Sequence, residues 1–244
     1  MSTNTSKKTV GIIGGMGPAA TALLFQKLID YTDAKSDAEH MHILIDNNTE
    51  IPDRTTAILN GENTPALCIC ESGKKLEQCG AEILLIPCNT SHYFYDYIQE
   101  HLSVPVVSMI AETAKVCLKN GYTKVGVLAT TGTCKTDTYT RELKKFGIET
   151  VYPDEEGQKK VMEIIYDQVK AGKKINASII DHTLKKMAAK GAQAFVLGCT
   201  ELPFAIKNGD FGYHFLDSLD ILARCAVEMA GYPLKKQATG ENKC

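Results

Sequence analysis

The chain has 244 residues, 44% apolar and 23% charged, with a formal net charge of −2. That length excludes a disulfide-stapled miniprotein and suits one large domain or two of about 100–120 residues. The charge lacks the basic excess of a nucleic-acid surface, and no run approaches a membrane span, so neither partner is expected.

Short apolar runs alternate with amphipathic stretches. TVGII (9–13), HILID (42–46), EILLI (82–86) and VPVVS (104–108) read as buried parallel strands. Helices are expected from Pro18 through LLFQKLIDY, and over about 62–79 and 91–101. In the second half KVGVLA (124–129), IETVY (148–152), AFVLG (194–198) and YHFLD (213–217) read as strands, with helices near 136–146, 156–171, 176–190 and 218–230. Alternating strand and helix means an α/β fold with parallel sheets.

The halves repeat. Lys74-Lys75, Gly80-Ala81 and Cys88 recur as Lys185-Lys186, Gly191-Ala192 and Cys199, at a constant offset of 111. Val10-Gly11 and Gly17 recur as Val125-Gly126 and Gly132 at an offset of 115. The expectation is two pseudo-symmetric α/β domains, residues 1–107 and 108–216, facing a central cleft, with 217–244 packing back onto the first. Ligands of open α/β sheets bind beyond the carboxyl ends of the strands, so Cys88 and Cys199 should approach one cleft from opposite sides.

Nine cysteines cannot all pair within one chain, and MSTNTSKKTVGIIGG has no apolar secretory core, which points to free thiols in a reducing cytoplasm. Each of the matched cysteines follows a strand and should lie near a helix N-terminus, where free N–H groups favour a thiolate and can bind a carboxylate. Two facing thiols suit a two-base proton transfer at one carbon. Cys68, Cys70 and Cys79 lack zinc-ligand spacing and read as helix-face residues.

Gly11-x-x-Gly14-Gly15-x-Gly17 is not the dinucleotide spacing; the backbone around Met16 and Gly17 suits a carboxylate cradle. Arg54 follows Asp53 in the loop after the second strand, where its guanidinium either forms a surface ion pair or holds a carboxylate bidentately. Asn47 either adds an amide contact or is a turn residue, and Asn89, Thr90 and Thr200 are placed to add polar contacts. Thr131 and Thr133 either hold a carboxylate or cap a helix. His92 either tunes Cys88 or is structural, and Glu201 orients Cys199, meets an ammonium or caps a helix.

GIIGGMGP (11–18), IPDR (51–54), CNTSH (88–92) and GCTELP (198–203) together resemble the Asp/Glu racemase superfamily over nearly the whole chain. Gly14-Gly15-Met16-Gly17 stands where glutamate racemases carry Asp-Ser-Gly, so the resemblance is to the aspartate racemase branch. It implies interconversion of L- and D-aspartate, extending to glutamate or a broader range, with Cys88 and Cys199 as acid and base and no cofactor or metal. It also implies Arg54 as a substrate carboxylate ligand, a lysine of the second half for the distal carboxylate (Lys174 or its neighbour Lys173) and a homodimer. The competing readings are a decarboxylase or cis–trans isomerase of small dicarboxylates on the same scaffold, and a non-catalytic amino-acid-binding protein.

Overall fold

The computed structural model describes residues 7–236. Its eight strands form two wholly parallel sheets of four. In the first, β1 (Val10–Gly14), β2 (Ile43–Asn47), β3 (Ile83–Leu85) and β4 (Val106–Val107) lie in the order β2-β1-β3-β4. In the second, β5 (Lys124–Ala129), β6 (Glu149–Val151), β7 (Phe195–Gly198) and β8 (Phe215–Asp217) lie in the order β6-β5-β7-β8. The shared order places a topological switch point between the first and third strand of each sheet, where such folds bind ligands. Cys88 and Cys199 lie just past those third strands.

Local chemistry fixes the helix starts. Pro18 opens α1 (Pro18–Tyr31). The Asp53 carboxylate accepts the Thr56 N–H and caps α2 (Arg54–Asn60), whose end is set by Gly61 in the left-handed region. The remaining helices of the first half are α3 (Thr64–Gln78) and α4 (Tyr95–His101), and α5 (Met109–Lys119), capped by Ser108, leads into the second. There follow α6 (Thr131–Lys135), α7 (Thr138–Lys144), α8 (Glu155–Met162), α9 (Asp181–Ala189), α10 (Leu202–Ala205) and α11 (Ser218–Met229). Among the described residues no helix is long and apolar enough to cross a membrane.

Three details depart from the sequence expectation. Arg54 is the first residue of α2 instead of a loop residue. The helix expected over 156–171 is divided: α8 passes into a π-helical segment, Glu163–Lys170, because widened turns leave the apolar pattern intact and so carry no periodic signal. The helix expected over 91–101 begins as a tighter turn, Thr90–Phe94, before α4.

Three apolar cores result. An outer core on α3 and α4 includes Ile13, Ile69, Leu84 and Ile98. A second, on α8, the π segment and α9, includes Val161, Ile165, Leu184 and Phe195. The central core joins the halves: Val10, Ile12, Leu24 and Leu85 share it with Val127, Val196, Leu216 and Leu222. Helix α11 packs against α1 and α5. Asp220 fastens it there, with Lys27 Nζ at 2.9 Å, Arg224 Nε at 2.8 Å and the Tyr31 hydroxyl as donors, and Arg224 lies 4.1 Å from the Tyr31 ring centre.

Candidate active site

Cys88 and Cys199 line one narrow cleft between the halves. Both are buried. The cleft leaves about 10 Å³ for solvent, close to what one water requires. From the first half Met16, Arg54, Asn89 and Thr90 also line it, as do Thr200 and Glu201 from the second.

The two sulfurs have unlike surroundings. Beside Cys88 lies Arg54, a buried guanidinium. Its Nη1 donates to the carbonyls of Ile51 (3.2 Å) and Pro52 (3.0 Å), and its Nη2 to that of Met16 (3.1 Å). Its Nε is buried with no acceptor among the described residues. Burial opposes this charge, but the Cys88 sulfur and the Asp53 carboxylate outweigh it and hold the Arg54 pKa above its usual value. Asp53 is already engaged, by the Thr56 N–H and hydroxyl at one oxygen and by the Tyr166 hydroxyl at the other. The cation is therefore short of a dedicated anion, and a buried donor without an acceptor is costly.

Cys199 instead donates to Glu201 Oε2 at 3.0 Å, and the Thr200 hydroxyl reaches the same oxygen at 3.2 Å. Burial, then the Glu201 carboxylate, pushes the Cys199 pKa well above that of an ordinary thiol. Cys199 therefore rests as a thiol. Lys170 Nζ stands 3.8 Å from Glu201 Oε1.

The carboxyl ends of β1 and β5 complete the walls. Gly15 has φ +90°, and a Cβ there would lie 2.1 Å from the Asn48 carbonyl oxygen, so only glycine lets the first loop close on its neighbour. Gly17 faces the other half, its hydrogen in the direction of Glu201 Oε1. Thr130 caps α6 by accepting the Thr133 N–H, and its hydroxyl joins those of Thr90 and Thr133 in a buried triangle 2.9–3.2 Å on a side.

Several expected residues therefore stand elsewhere or are already occupied. Asn47 is exposed at the end of β2 and does not line the cleft. Thr131 faces a neighbouring cavity. Thr133 is committed to the hydroxyl triangle, and the Asn89 amide bonds Ser218 and Tyr139. Lys173 and Lys174 are exposed and outside the cleft; the lysine that lines it is Lys170. His92 touches the carbonyl of Cys88, not its sulfur: Nδ1 lies 2.9 Å from that oxygen while Nε2 accepts the Met109 N–H. An acceptor role at Nε2 fixes the neutral tautomer with the proton on Nδ1, and burial lowers the His92 pKa to about 4.

Asp53, Thr55, Thr130, Tyr166 and Lys170 line the cleft without having been singled out as ligands. Asp53 carried a legible cue, a carboxylate three residues before Thr56 at a helix start. Tyr166 and Lys170 carried none, because the π turns bring them to the cleft. The described residues hold no group of three metal-ligating side chains. Cys244 lies outside the described residues; none of the other eight cysteines is in a disulfide among the described residues.

Residues 13–226 match the model of the Asp/Glu/hydantoin racemase family. A broad-specificity amino-acid racemase of Bacillus subtilis is 28% identical over 89% of this chain and 96% of its own length. The structure of an aspartate racemase from Picrophilus torridus superposes with a TM-score of 0.79 at 33% identity, covering 93% of this chain and 96% of that one. That of an aspartate racemase homologue from Pyrococcus horikoshii superposes at 0.76 and 32% identity, covering 91% and 99%. With its paired sheets and paired strand-end cysteines, the chain belongs to the Asp/Glu/hydantoin racemase family, a family of isomerases.

Proposed function

We propose that the protein racemises aspartate, without pyridoxal phosphate or metal, by proton transfer between Cα and the thiols of Cys88 and Cys199. The observation that carries this reading is the pair of buried sulfurs in one cleft, one beside a guanidinium and the other donating to a carboxylate. In one direction the Cys88 thiolate takes the Cα proton and the Cys199 thiol delivers its own to the opposite face. The electron pair of the broken C–H bond rests on the substrate carboxylate and then forms the new one. The turnover leaves a Cys88 thiol and a Cys199 thiolate, the state that acts on the other enantiomer.

Arg54, with its spare Nε–H, receives the α-carboxylate and stabilises the charge that develops there. Lys170, held only loosely by Glu201, supplies a second cation for the side-chain carboxylate. These two cations favour a dicarboxylic substrate. A cleft with room for one water must open to admit an amino acid, so residues 1–107 and 108–216 act as two units that shift about the core where α11 meets α1 of one and α5 of the other. Such thiol chemistry suits the reducing cytoplasm, and two copies are expected to associate, which sedimentation velocity would show as a dimer.

The test is incubation in deuterium oxide with pure L- or D-aspartate. Loss of optical purity with deuterium appearing at Cα of the product is expected, as is loss of racemisation in both Cys88→Ala and Cys199→Ala. Absence of exchange and racemisation with every acidic amino acid would refute the activity, and full racemisation by either variant would refute the two-thiol scheme. Carbon dioxide release would identify a decarboxylase instead.

A further inference from the structure

Beside the cleft lies a second and much larger cavity, about 760 Å³, within the range of small-molecule sites. It opens between the loop entering α6, the loop after β6, α8 and the π segment. In the first half the equivalent loops approach closely, the Asn48 backbone lying against Gly15. In the second half the corresponding loops stand apart, and Thr131 and Pro153 face each other across open volume.

The floor is apolar, formed by Tyr152, Pro153, Met162 and Tyr166. Its polar groups are already paired. Gln158 donates to the Ala129 carbonyl at 2.9 Å and accepts from the Cys134 thiol at 3.5 Å, and the Thr131 N–H donates to the Met162 sulfur at 3.3 Å. A ligand here must therefore bring an apolar body.

The rim carries Lys135 and Lys159 against Asp154, Glu155, Glu163 and Asp167. Lys159 pairs with Glu155, Asp154 with Lys186, and Glu163 accepts from Gln168. Among the described residues Lys135 and Asp167 are exposed and make no such contact, and the Gln168 amide on Glu163 is neutral, so one cation and two carboxylates are left uncompensated. The excess of carboxylates repels a dicarboxylate, the reverse of the selection made by Arg54 in the cleft.

We propose that this cavity is a second, non-catalytic site for a free amino acid with an uncharged apolar side chain. Its ammonium meets Asp167, its carboxylate meets Lys135, and its side chain covers Met162 and the two tyrosines. The site adjoins the cleft: Tyr166 is a wall of both, with its hydroxyl 3.0 Å from Asp53 Oδ2. The proposal goes beyond the racemase reading and is read by binding alone, so either can fail without the other.

The experiment is titration calorimetry of the full chain with L-leucine and L-phenylalanine. Saturable binding is expected. 3-Methylbutylamine and 4-methylpentanoate, each lacking one pole of leucine, should bind about tenfold more weakly. Asp167→Lys and Lys135→Glu should each weaken leucine binding by about tenfold, while an unchanged melting temperature confirms that these surface changes leave the fold intact. No saturable binding of either amino acid, or an unchanged leucine affinity in either rim variant, overturns the assignment.

Discussion

Asn89, which follows Cys88, donates its side-chain amide to the Ser218 hydroxyl at 3.0 Å across the seam between the halves. Ser218 in turn donates to the carbonyl of Leu197, on the strand that leads into Cys199, at 2.8 Å. Tyr139 closes the other side by donating to Asn89 Oδ1 at 2.6 Å. A chain of fully buried hydrogen bonds thus ties the backbone beside one sulfur to the backbone beside the other. Ser218→Ala strands the Asn89 N–H without an acceptor, a cost of about 1–3 kcal/mol. The melting temperature should fall by about 2–10 °C, and kcat should fall more than KM rises, which steady-state kinetics on both enantiomers would show.

The unlike settings of the sulfurs make a chemical prediction. Burial and then the Glu201 carboxylate hold the Cys199 pKa up. Glu201→Gln removes the second cause and leaves the first, so the Cys199 pKa falls towards that of an ordinary thiol. Alkylation of Cys199 by iodoacetamide, followed by mass spectrometry across pH, should reach half its maximal rate at lower pH in the variant. An unmoved profile would mean that the carboxylate does not hold the thiol proton.

His92 makes stability depend on pH. Its folded pKa is about 4 against 6.5 unfolded, so the unfolded chain binds the extra proton first. The contribution is complete above about pH 6.5 and is lost as pH falls towards 4, amounting to about 3 kcal/mol. Urea unfolding at pH 7 and at pH 4 should differ by roughly this amount more in the native chain than in His92→Gln.

Asp220 neutralises Lys27 and Arg224 where α11 meets α1, at sites only 15%, 18% and 5% exposed respectively. Asp220→Asn takes the buried Arg224 guanidinium's carboxylate away and leaves Lys27 only Asp217, 3.7 Å off, at a cost of about 3 kcal/mol. Denaturant unfolding should shift its midpoint accordingly, and an unchanged midpoint would show that the cluster is not what fastens the helix.

What was legible in the sequence follows from how each feature is encoded. The strands and most helices announce themselves because burial imposes a period, and β1 or β7 is apolar throughout. The repeat offset singles out Cys88 and Cys199 because two similar halves place equivalent residues at equivalent strand ends. Polar side chains offered less. Asn89 and Thr133 look like substrate ligands from their neighbours in the chain, but their partners, Ser218 and Tyr139 for one and Thr90 for the other, come from remote segments. Lys170 displaces Lys174 at the cleft for a related reason: a π turn alters which side a residue faces without altering the sequence pattern.

Helix α11 has a consequence for how the chain is made. The central core takes Leu24 and Leu28 from the first helix and Leu219, Leu222 and Ala226 from the last. As the polypeptide leaves the ribosome, the apolar stripe of α1 waits uncovered until residues beyond 218 emerge. Neither sheet can finish its packing as a separate module, and cutting the chain before α11 should yield an aggregating fragment instead of a smaller stable protein.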